Sequence, residues 1–215
     1  CELVPLHLNI KACVYQTTGA DESVLSVFTG NKAYTPIAKA KRNDYMLRVQ
    51  TANASYLHLQ VVSESGPLDT SDYRLQFEAI PIDGSRTFAR VSFSYRYGAM
   101  TRMLSAAYFG TVARSKIGFS IVGQDEHGEP IYLRGRAAAL ERNVMRLYLA
   151  LQTLLESHAR PEPERFEWSI RRWHALTERY PRQLNEIQQT EYLDIKRREH
   201  AEPPPHPHEL WPTPS

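Results

Sequence analysis

Residues 71–97 read SDYRLQFEAIPIDGSRTFARVSFSYRY, and the phase of the apolar residues in this stretch decides the fold. In its first half Tyr73, Leu75, Phe77 and Ala79 alternate with polar neighbours; in its second half Ala89, Val91, Phe93, Tyr95 and Tyr97 do the same. A period of two marks strands with one buried face, and Asp83-Gly84-Ser85 between them is turn chemistry. Both apolar sets fall on odd numbers, so residues opposed across the hairpin must have numbers with an even sum. A two-residue Asp83-Gly84 turn makes that sum odd and sets Arg90 opposite Phe77 on the core face. An unpaired charge there costs on the order of 3 kcal/mol or more. A three-residue loop, Asp83-Gly84-Ser85, restores the parity. It pairs Phe77 with Val91, Leu75 with Phe93 and Tyr73 with Tyr95, and it sets Glu78 against Arg90 and Asp72 against Arg96 on the polar face.

The same reading extends towards the N-terminus. Tyr45, Leu47 and Val49 alternate with Met46, Arg48 and Gln50, and Leu57, Leu59 and Val61 alternate with His58 and Gln60. Six strands are expected, near 10–17, 23–29, 44–50, 55–63, 71–81 and 86–97. The intervals between them leave no room for crossover helices, so the sheet should be an antiparallel meander.

After Tyr97 the period changes. Residues 99–114 read as a helix, and segments 117–122 and 130–133 as a further hairpin. Residues 136–157 form the strongest helix of the chain: Leu140, Val144, Leu147, Leu151 and Leu154 recur at four-three-four-three spacing. A helix with so wide an apolar stripe is expected to be covered by the sheet. Past Pro161-Glu162-Pro163, Phe166, Ile170, Trp173, Leu176 and Tyr180 make an amphipathic helix, and Pro181 opens a second one ending near His200. The proline-rich residues 201–215 read as an extended, disordered tail. The organisation is thus a domain over 1–158, a helical appendage over 159–200 and that tail.

The 215 residues are 42% apolar and 23% charged, the balance of a globular chain without a membrane-length apolar run. A net charge of +2 is too near neutral for a dedicated nucleic-acid binder. Residues 99–160 are the most basic segment, and Arg114, Lys116, Arg134, Arg136, Arg142 and Arg146 suggest transient contact with an anionic membrane. Cys1 and Cys13 are too few for a disulfide scaffold; they can bridge in an oxidising compartment, but a small buried thiol is the expected role for Cys13. Export, or a periplasmic location, is weakly favoured over a cytoplasmic one.

A twisted antiparallel meander followed by a long apolar helix resembles the helix-grip outline of the START-like (SRPBCC) superfamily. The segments Leu6-His7-Leu8-Asn9-Ile10-Lys11-Ala12-Cys13 and Glu141-Arg142-Asn143-Val144-Met145-Arg146 are similar to segments of bacterial START-like proteins of uncharacterised function. Ser71-Asp72-Tyr73 is similar to the Arg-Asp-aromatic segment of START domains, with serine in place of arginine. The resemblance covers residues 1–158. It implies an α+β fold in which a curved antiparallel meander grips the long C-terminal helix, followed here by extra helices. It also implies a hydrophobic ligand, such as a lipid, a sterol-like or a polycyclic molecule, held between sheet and helix. Ten residues before Lys11 are too few for the strand and two small helices with which that family usually begins.

The pocket lining expected on this reading is Tyr73, Leu75, Phe77, Phe93, Tyr95, Tyr97 and Tyr108 with Leu147 and Leu151. The clustered tyrosines tilt the set from plain core towards a cavity, because buried phenols need hydrogen-bond partners. No catalytic residue, metal ligand or cofactor motif is assigned: Asp72, Arg74, Glu78, Arg90 and Arg96 fall on the opposite face, and phenols alone are weak acid–base groups at neutral pH. Two alternatives remain, a cyclase- or aromatase-type enzyme on the same fold and an interaction protein whose groove is filled by its own side chains.

Overall fold

The computed structural model describes residues 1–66, 70–98 and 115–211. Strands form where the period of two predicts them: β1 (Ile10–Thr17), β2 (Glu22–Thr29), β3 (Lys41–Ala52), β4 (Leu57–Gly66), β5 (Thr70–Pro81) and β6 (Thr87–Tyr97). They pair in sequence order, each antiparallel to the next, into a six-stranded meander. The fold is α+β, and the helical segment expected over 99–114 lies outside the described residues.

The β5–β6 hairpin has the register derived from parity over most of its length. Leu75 faces Phe93, Phe77 faces Val91, Glu78 faces Arg90, and the Ile82 N–H donates to the Arg86 carbonyl across the three-residue loop. The register slips between Ser71 and Arg74, where Ser71 faces Arg96 and Asp72 adopts φ 52°. The expected direct pairing of Tyr73 with Tyr95 is therefore replaced by a bulge. An aspartate enters the left-handed region more easily than a branched residue does. The Arg96 Nε still reaches the Asp72 carboxylate at 3.2 Å.

The chain divides into two compact units. The sheet unit comprises Cys1, Asn9–Gly98 and Glu199–Ser215. Its sealed core, on the even-numbered face of β1 and β2, is Ala12, Val14 and Phe28 with Ile37; Ala40, Leu210 and Trp211 pack against it. The tail expected to be extended thus carries a short helix (Pro207–Leu210) whose end is apolar and docked. Arg42 holds it, donating to the Leu210 carbonyl at 3.1 Å with its guanidinium 5.1 Å from the Trp211 ring centre. Lys11, fully buried, donates to Glu199 at 2.7 Å and to the Ala33 carbonyl at 3.1 Å. Cys1 and Cys13 form a disulfide, which corrects the expected free thiol; Cys13 sits half-buried opposite Val27, within reach of the exposed Cys1.

The helical unit comprises Glu2–Leu8 and Ala99–Arg198. It contains a hairpin where one was expected, β7 (Ile121–Gln124) with β8 (Pro130–Tyr132), its first strand lying later than the expected 117–122, and the helices α1 (Gly135–Ser157), α2 (Glu162–Thr177) and α3 (Gln189–Ala201), of which α3 runs three residues past the unit's end. The helix expected from Pro181 starts only at Gln189, residues 181–184 being a turn. Helix α1 packs on α2, and both touch the 3-10 turn Val4–Leu6. The side chains that α1 buries are Ala138, Arg142, Arg146, Leu149, Ala150, Thr153 and Ser157. Small residues let a neighbouring helix approach, and both arginines are compensated: Arg142 donates to the Ile117 carbonyl at 3.1 Å and Arg146 to Glu186 at 2.6 Å.

Candidate ligand-binding face

Cross-strand pairing places Leu47 and Val49 of β3, Leu59 and Val61 of β4, Leu75 and Phe77 of β5, and Val91 and Phe93 of β6 on one face of the sheet. Every one of these eight is half-buried, and none reaches the burial of the Ala12–Phe28 core. A mature core is close-packed, so an apolar face of this extent that is nowhere sealed has the properties of a contact surface.

One end of the face is aromatic. Tyr73 and Tyr95 stack with ring centres 5.3 Å apart and planes 11° from parallel. Tyr45 meets the Tyr73 ring edge-on at 6.1 Å, and Phe93 lies 5.9 Å from Tyr73 and 5.6 Å from Tyr95. The Tyr73 hydroxyl and the Thr70 hydroxyl are 2.8 Å apart. Burial, reinforced by Tyr73, pushes the Tyr45 phenol up to about 12. Burial likewise raises Tyr73, with the Thr70 bond opposing it. At neutral pH both are uncharged hydroxyls, suited to hydrogen-bonding a guest rather than to removing a proton from one.

The bulge and a glycine position this cluster. Gly66 faces Thr70 at the β4–β5 end, and a side chain there would overlap the Tyr73 ring. Tyr45, Gly66 and Thr70 were missing from the sequence-derived lining. Tyr45 was findable, because Tyr45, Leu47 and Val49 share the odd parity; the roles of Gly66 and Thr70 depend on the bulge.

Of the expected lining, Tyr73, Leu75, Phe77, Phe93 and Tyr95 come together on this face. Tyr97 continues β6, opposite Thr70, but its side chain and the whole of Tyr108 lie outside the described residues. Leu147 and Leu151 lie on α1 in the helical unit, both half-buried. The charged residues occupy the other sheet face, as parity requires, with Arg90 3.9 Å from Glu78. His58, expected at the surface there, is half-buried, and its Nε2 has no hydrogen-bond partner. That face also carries a groove of about 430 Å³ lined in part by Arg48, Gln60, Glu64 and Arg74, a polar surface unlike the apolar one. The arginines expected to meet an anionic membrane are split: Arg142 and Arg146 are buried and engaged, and cannot serve.

Comparison of the chain with protein-family models, with curated proteins and with solved structures finds no match.

Proposed function

We propose that the odd-numbered face of β3–β6 binds a hydrophobic small molecule, with the Tyr45–Tyr73–Tyr95 phenols addressing its polar end. The observation that carries this reading is the eight-residue apolar face that remains half-buried throughout, ending in a stacked aromatic cluster. Removing about 300 Å² of apolar ligand surface from water contributes on the order of 7 kcal/mol before association costs, enough for micromolar affinity without a charged anchor. The START-like outline is the architectural form of the proposal: in that architecture a long helix closes the apolar face of the sheet. The Cys1–Cys13 disulfide favours an oxidising compartment as the place of action.

Native mass spectrometry of protein purified from cells, followed by extraction, tests the proposal. A co-purifying lipid or polycyclic compound, displaced by an apolar fluorescent probe with saturable binding, is the expected result. Phe77→Asp should weaken probe binding at least tenfold with the fold retained by circular dichroism. An empty protein that takes up no probe saturably would overturn the assignment.

A further inference from the structure

We propose that the helical unit contains a built-in site for one long-lived water molecule, hydrogen-bonded to the indole of Trp173. The site is independent of the sheet face. Trp173 on α2 is only 4% exposed, yet its Nε1–H has no acceptor. Stacking against Tyr192 of α3, with ring centres 5.3 Å apart and planes 28° from parallel, fixes the indole so that it cannot turn to find one. A buried donor left unpaired is costly, and native proteins satisfy such groups with protein or with ordered water.

Trp173 lines a partly open pocket with about 10 Å³ of water-accessible space, which is what a single water requires. Leu8, Leu184 and Ile187 make part of its wall apolar, and polar groups complete it. Glu186, which receives the Arg146 guanidinium at 2.6 Å, and Glu178, whose carboxylate stands 4.0 Å from the His174 Nε2, supply acceptors. His174 is itself engaged, its Nε2 lying 3.2 Å from the Ile187 carbonyl. A guest here must accept from the indole and donate to a carboxylate, and a water molecule does both. The Arg146–Glu186 pair is neutral as a unit and Glu178 is a further carboxylate, so the site offers no surplus positive charge to hold an anion.

The test uses the full chain with ¹⁵N-labelled tryptophan, whose three indole signals belong to Trp168, Trp173 and Trp211. Trp173→Phe identifies the resonance; if that variant does not fold, Trp168→Phe and Trp211→Phe identify it by elimination. The expected result is a negative nuclear Overhauser effect between the Trp173 indole proton and water, unchanged by titration with chloride. Absence of a water cross-peak, or a chloride-dependent shift of the indole signal showing an ion in the site, would overturn the proposal.

Discussion

Tyr45 and Lys11 show how a single side chain is tied to stability in the sheet unit. The Tyr45 phenol titrates near 12 when folded and near 10 when unfolded, because burial disfavours the phenolate. Its contribution is therefore complete below pH 10 and is lost as pH rises through about 12. Alkaline titration followed at 295 nm should give a late-ionising phenol that Tyr45→Phe removes, and the variant's stability should fall less between pH 10 and 12. Lys11 and Glu199 form a buried pair 2.7 Å apart. Lys11→Met strands the carboxylate and should cost about 3–5 kcal/mol in denaturant unfolding, while Lys11→Met with Glu199→Leu should recover most of the loss. At this scale the sequence was least legible: a lysine next to Ala12 reads as solvent-facing until its partner, far along the chain, is known.

At the scale of elements, the hairpin was legible because parity and charge agree: one loop length satisfies both the apolar face and the Glu78–Arg90 and Asp72–Arg96 pairs. The bulge at Asp72 was not, since it trades a ladder position for the Tyr73–Thr70 contact, a local choice with no periodic signature. Gly66→Ala tests what the bulge positions. Its new methyl group would overlap the Tyr73 ring, so the variant should fold yet lose at least fivefold in apolar-probe affinity, read by fluorescence titration. Helix α1 offers the opposite lesson. Its length was plain from the leucine spacing, but the side it buries carries Arg142 and Arg146. Hydropathy ranks arginine as exposed, whereas Glu186 and the Ile117 carbonyl make burial tolerable.

For the whole molecule, the disulfide is the covalent constraint that composition left undecided. It joins cysteines 12 positions apart within the sheet unit, and a loop of that size is worth about 3 kcal/mol in chain-entropy terms. Cys1→Ser, or reduction, should lower the melting temperature by about 5–10 °C in calorimetry, and an unchanged transition would show the bridge to be energetically idle. The C-terminal segment adds a non-covalent constraint through Leu210 and Trp211. Its proline content suggested extension, but Pro207 suits a first helical position and Trp211 has a cation and an apolar cluster to meet.

The order of residues alone determined the strands, their antiparallel sequence order, the hairpin register over most of its length and, among the described residues, the existence of three long helical segments, because period and turn chemistry are local properties that adjacent residues carry. Tertiary structure decided which arginines are buried, where the register slips, that Cys1 reaches Cys13, and that the apolar face of β3–β6 stays unsealed while a smaller one on β1 and β2 is closed. Each of these depends on which distant groups arrive to satisfy a charge, fill a gap or complete a bond, and no window along the chain contains both partners.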